Sequence, residues 1–139
     1  MNINKFLMGT LAGGITFFFV GFLFYGIALE GFFRGHTGTA TGVMKTDLIW
    51  WALILGNLSS AAMLSYIFLK WANIKSFAAG ASAAAILGFF IALSYDMINY
   101  ATSNVLDLTA ALTDVVVGTV MTAIGGGVIG AALGMGNKA

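Results

Sequence analysis

Four stretches of this chain are each longer than the roughly 20 apolar residues that cross a bilayer, and no proline interrupts them. This feature constrains the fold more than any other, because in hydrocarbon every backbone N–H and C=O must be satisfied internally. Only helices and closed barrels manage that. Barrel strands would alternate apolar and polar residues over segments of about ten, whereas these runs are continuously apolar, so the expected fold is all-α. The first run, FLMGTLAGGITFFFVGFLFYGIAL from Phe6 to Leu29, is free of charge and makes about 36 Å of helix against a hydrocarbon core near 30 Å. It is longer than the apolar core of a secretory signal and reads as an uncleaved span. The other spans are expected over about 48–72, 77–103 and 108–136. Together they make one four-span transmembrane domain over 1–139, an antiparallel integral membrane four-helix bundle. Its short second and third links predict packed hairpins between spans two and three and between spans three and four. The first link, EGFFRGHTGTATGVMKTD, is rich in glycine and threonine and is expected to turn rather than form a helix.

Composition narrows the function classes. At 60 % hydrophobic and 8 % charged, the chain belongs in a membrane, since about a quarter of a soluble domain is charged. A net charge of +1 and the absence of any basic run leave no surface to neutralise phosphates, which excludes nucleic acid. No cysteine is present, so disulfides, thiolate metal sites and cysteine nucleophiles are excluded together. The lone His36, in a polar loop, cannot assemble a metal site. No metal or cofactor is expected.

Trp50 and Trp51 at one end of the second span and Trp71 at the other match the aromatic belts of a bilayer. Lys5, Lys70, Lys75 and Lys138 fall on one face of the bundle, and Arg34 and Lys45 on the other, with Glu30, Asp47 and Asp107. The positive-inside rule makes the lysine face cytoplasmic, with both termini there.

One layer of the bundle is polar. Counted from the outer helix ends, Asp96 in span three and Asp114 in span four each lie about seven residues, or ~10 Å, down. Asn57 in span two and Tyr25 in span one reach a similar level. Asp96, Asn99, Tyr100 and Ser103 follow helical spacing and predict one inward polar stripe, with Tyr95 beside it. Below it, Ala81, Ala85, Gly88 and Ala92 offer small residues to a neighbour. In span four Asp114 and Gly118 lead down through Thr122 to Gly126, Gly130 and Gly134. These glycines suit close helix packing within the bundle or, equally, a dimer face. An aspartate deep in a bilayer costs roughly 2.5 to 3.5 kcal/mol on the insertion scale, so the pair is expected to be sheltered. Tyr25, Asn57 and Asn99 are candidate donors, and Arg34, Lys45 and Glu30 are candidate gating or counter-ion groups. For Asn57 and Asn99 the preferred reading is helix–helix glue.

The stretch GFFIALSYDMINYATSNVLDLTAALTDVVVGTVMTA, Gly88 to Ala123, resembles the C-terminal half of a family of predicted four-helix bacterial membrane proteins of unknown function. The residues that carry the likeness are Tyr95, Asp96, Asn99, Ala101, Thr102, Asp114, Gly118 and Thr119. Where the family commonly has an aromatic before the glycine, this chain has Val117. GFLFYG, Gly21 to Gly26, is similar to a second uncharacterised four-helix family. The resemblance implies a multi-pass protein of the bacterial inner membrane and brings no activity with it.

Three function classes follow. The aspartate pair, one member preceded by tyrosine, resembles an intramembrane aspartyl protease, in which paired carboxyls activate water. The glycine-rich signature of the second aspartate is missing from ALTDVVVG, and the expectation is that the chain is not an enzyme. A proton- or cation-coupled transporter acting as a dimer is the alternative, although the small four-helix carriers hold their essential acid in the middle of the first helix, where this chain has none. The preferred class is a non-catalytic membrane protein that binds a lipid, a small amphiphile or a partner subunit at its polar layer. Its expected partners are the lipid bilayer and either a second copy or another membrane subunit.

Overall fold

The computed structural model describes residues 1–136, and Lys138 therefore lies outside the described residues. Among the described residues there is no strand. Helix α1 (Ile3–Gly21) continues through a π-helical stretch, Phe22–Ala28, to complete the first span. After a short α2 (Glu30–Gly35) comes α3 (Trp50–Ile67), which also ends in π-helical turns, Phe68–Ala72. Helices α4 (Phe77–Thr102) and α5 (Leu108–Gly134) supply the last two spans. All four spans are long and apolar enough to cross a membrane. Trp50, Trp51 and Trp71 are exposed at the two ends of the second span, as an interfacial belt requires.

The helix ends have identifiable causes. Asn2, Ser76 and Asp107 cap α1, α4 and α5, accepting hydrogen bonds from the amides of Lys5, Ala79 and Ala110. Each satisfies a donor that the first helical turn leaves free. The second span stops at Asn73, which adopts the left-handed conformation (φ 49°) that asparagine tolerates better than most residues. Residues 30–35, expected to be turns, form α2 instead. Beyond α2, residues 36–40 lie along the α4–α5 link: Gly38 N–H donates to Val105 O at 3.0 Å, and Asp107 N–H donates to His36 O at 3.1 Å. His36 stacks its ring on Phe32, with centroids 4.3 Å apart.

The spans are antiparallel and their register can be followed through the glycines. On α1, Gly9 abuts Ser65 and Leu133, Gly13 abuts Ala61 and Ile129, and Gly14 abuts Leu58. One turn further on, Phe17 fills the space over Gly125. Helix α1 thus runs against both α3 and α5, and Lys5 Nζ reaches Leu133 O at 3.3 Å where α1 begins and α5 ends. The α4–α5 contact is closer still. A Cβ on Gly80 would strike the carbonyl of Gly126, and one on Gly130 or Gly134 would strike the carbonyl of Ser76 or Lys75. Gly126, Gly130 and Gly134 are therefore occupied within the chain, and the dimer-face reading of this row is set aside. The small face of α4 also sits one residue away from the expected one: Gly80, Ala84 and Gly88 are buried, while Ala81 and Ala85 are only partly so.

The hairpin expected between spans two and three is not packed. Helix α4 packs on α5, α5 on α1 and α1 on α3, whereas α3 and α4, joined by the short link 73–76, scarcely touch. On α3 the buried residues are Ala61, Leu64 and Ser65. Ala61 and Ser65 are used against α1, while Gly56, in the second small row of Ala52, Gly56 and Ser60, meets no neighbour. The core of Phe17, Leu64, Phe68, Ile129 and Leu133 fills the half of the bundle nearest the start of α1. In the other half the gap between α3 and α4 stays open.

Candidate functional site

Polar side chains take over where the glycine ladder ends. Along α4 the buried residues are Gly80, Ala84, Gly88 and Asp96, a strict spacing of four or its multiple, which places Asp96 on the face that meets α5. It is only 2 % exposed. Its carboxyl lines the same cavity as that of Asp114 on α5. Asp114 in turn accepts from the Tyr25 hydroxyl at 2.5 Å. Tyr25 belongs to the π-helical part of the first span, whose wider turns are often found at functional sites. Three helices thus contribute one polar side chain each. The second carboxylate oxygen of Asp96, Oδ1, is buried and has no hydrogen-bond partner.

Beside this cluster is a cavity of about 270 Å³. Tyr25, Asn57, Ser60, Asp96, Asp114 and Thr122 contribute its polar lining, and Phe17, Met63, Leu64, Ile91 and Met121 much of the rest. Both α3 and α4 border it without closing on each other. The gap between these two helices adjoins it. The donors around it are largely engaged: Tyr25 with Asp114, Asn57 Nδ2 with Leu53 O at 2.8 Å, and Thr122 Oγ1 with Gly118 O at 2.6 Å.

The expected layer is narrower than its sequence spacing implied. Tyr25, Asn57, Asp96 and Asp114 come together at the cavity. Asn99 does not; its Oδ1 accepts from Ser103 Oγ at 2.7 Å, and it lines a separate shallow groove on the outer face of α4 with Phe90, Ser94 and Thr102. Tyr100 is exposed, and Tyr95, 67 % exposed, sits at the cavity rim with its ring largely outside. The cause is geometric: α4 buries one narrow strip against α5, and residues three or four positions on from Asp96 diverge to opposite sides of it by about 60° and 40°. The counter-ion expectation is also corrected. Arg34 Nη2 pairs with Glu30 Oε1 at 2.7 Å on the exposed surface of α2, and Lys45 is exposed on the loop. Gly88 and Gly118 serve both packing and the cavity wall, with Gly88 against Thr122 and Gly118 against Ala92. Ser60 and Thr122 are lining residues that the depth argument passed over; Ser60 lies within one turn of Asn57, the signal that would have found it.

Over residues 6–131 the chain matches the family described as "Predicted membrane protein (DUF2177)". It belongs to that family. The match covers all of the second and third spans and most of the first and fourth, so the whole polar cluster lies within the family's domain. No curated protein and no solved structure matches the chain. The family's function is unknown, and membership therefore supports the membrane architecture without assigning an activity.

Proposed function

We propose that this chain is a non-catalytic integral membrane protein that binds a lipid, a small amphiphile or a partner subunit at the layer formed by Tyr25, Asn57, Asp96 and Asp114. The observation that carries this reading is Asp96, buried beside a cavity with one oxygen unbonded. A buried polar group left unpaired costs about 1–3 kcal/mol, and more if charged, so a site that keeps one is matched to an incoming donor. The cavity's mixed lining suits a molecule with a polar head and an apolar body. The gap that adjoins it, between α3 and α4, leaves little enclosure for the two-sided carboxyl chemistry of a hydrolase. We place the protein in the bacterial inner membrane. The face where α1 begins is assigned to the cytoplasm, on the positive-inside rule applied to Lys5, Lys70 and Lys75.

A second reading, proton- or cation-coupled transport by a dimer, is favoured by the placement of Asp96 and Asp114 on one cavity. Two carboxyls brought together can share a proton, which is a means of exchanging it for a cation. Reconstituted vesicles separate the readings. Lipid retained by the purified protein in native mass spectrometry, with no pH-driven flux, supports binding. Flux abolished by Asp96→Asn supports transport, and the absence of both retained lipid and flux would remove the first reading.

A further inference from the structure

We propose that the cavity recognises a cationic amphiphile, a protonated or quaternary amine on an apolar chain, with its nitrogen between Asp96 and Asp114 and its chain leaving through the gap between α3 and α4. The inference rests on the binding reading above and assigns the ligand's chemistry. Charge sets the sign: two carboxyls line the cavity, while no lysine, arginine or histidine does. The chain's one arginine, Arg34, is already paired with Glu30. Hydrogen bonding points the same way. Tyr25, Asn57 and Thr122 each donate to an acceptor inside the protein, while Asp96 Oδ1 is an acceptor without a donor. The Ser60 hydroxyl and the second Asn57 amide hydrogen remain as neutral donors, but a negatively charged head would also face two carboxyls, whereas an ammonium brings them donors and charge together.

Size selects the amphiphile over either a bare ion or a fully enclosed molecule. A space of 270 Å³ is about nine water volumes, below the roughly 300–1,000 Å³ of sites that enclose a drug-sized ligand. It takes a head group and the first few methylenes. The rest of the chain must lie outside, and the unsealed gap between α3 and α4 gives it a lateral path into lipid. Phe17, Met63, Leu64 and Met121 supply the apolar wall for the buried part. No third acidic or histidine side chain joins the pair among the described residues, so the site is poorly equipped to strip the shell of a small metal ion.

The test titrates the full-length protein in neutral maltoside micelles with decylammonium, decanol and decanoate, using protein-free micelles to subtract partitioning. The pH is held near 8, where the amine is protonated and the acid ionised. Decylammonium is expected to bind about tenfold or more tighter than either chain of equal length, the scale of a charge-assisted hydrogen bond. Asp96→Asn should lower it to the level of decanol. If that variant fails to fold, the wild-type series alone still decides. Equal binding of all three chains, or tighter binding of decanoate, overturns the cation assignment while leaving the binding reading intact. No binding of any of them also removes the small-amphiphile part of the binding reading. A wild-type preference for the amine that survives Asp96→Asn overturns the role given to Asp96. Native mass spectrometry against phosphatidylethanolamine and phosphatidylglycerol then identifies the source: preferential retention of the former assigns the amine to a bilayer lipid, and decylammonium binding without it assigns a free amphiphilic amine.

Discussion

The α4–α5 contact and the α3–α4 gap are each flanked by helices joined through a short link, yet one is closed to backbone contact and the other is open. Link length therefore does not decide packing in this protein. In a bilayer, lipid is as apolar as leucine, and helices associate through close van der Waals fit and hydrogen bonds rather than through expulsion from water. Helices α4 and α5 have rows of small residues that let carbonyls and Cα atoms approach, with Gly80 against Gly126 and Gly130. On α3 the one glycine, Gly56, faces open space. The closed seam holds the chain together, and the gap adjoins the cavity that Asp96 and Asp114 line.

Substitutions can break or sharpen this contrast. The largest effect is expected from Gly126→Val, whose side chain would meet Ala84 and the Gly80 carbonyl, neither of which can swing aside. Overpacking of this kind costs about 1–3 kcal/mol, here toward the upper end, measurable by denaturant titration in mixed micelles followed by circular dichroism. Unchanged stability would mean that the seam is not the tight contact described. Tyr25→Phe deletes the hydroxyl that ties the first span to Asp114. A loss of about 0.6 to 1.7 kcal/mol is the range for membrane hydrogen bonds, and unchanged stability in the same titration would mean that the bond contributes nothing. At Gly56, alanine meets no neighbour and should raise stability by up to about 1 kcal/mol through helix propensity; a marked loss would place another helix against α3. The smallest change is expected from Arg34→Gln. Its exposed pair with Glu30 contributes about 0–1 kcal/mol at most, and decylammonium affinity should not move. A clear change in that affinity would return Arg34 to the counter-ion role from which the geometry removes it.

Depth was legible in the sequence and direction was not. Counting residues from the ends of the spans puts Tyr25, Asn57, Asp96 and Asp114 at one level, because a helix rises by a fixed amount per residue, and all four line one cavity. The same counting groups Asn99 and Tyr100 with Asp96, since neither spacing of three nor of four repeats the helix exactly once around. Which residue of such a stripe is buried depends on how narrow the opposing helix makes the contact. The π-helical turns at Phe22–Ala28 and Phe68–Ala72 were equally silent, since a switch of hydrogen-bond partner leaves no mark on a stretch that is apolar on every side. The Arg34–Glu30 pair, at helical spacing, was present in the sequence; what hid it was a glycine-flanked segment that folds as α2.

The sequence by itself determined an all-helical membrane protein with four spans, because runs this long and apolar can satisfy their backbones in no other open-chain form. It also determined that two carboxyls would lie at one depth. Only the tertiary structure decided which helices close on one another and which stand apart. In lipid that choice rests on the fit of individual small residues across a contact, a property of pairs of surfaces that no single segment carries.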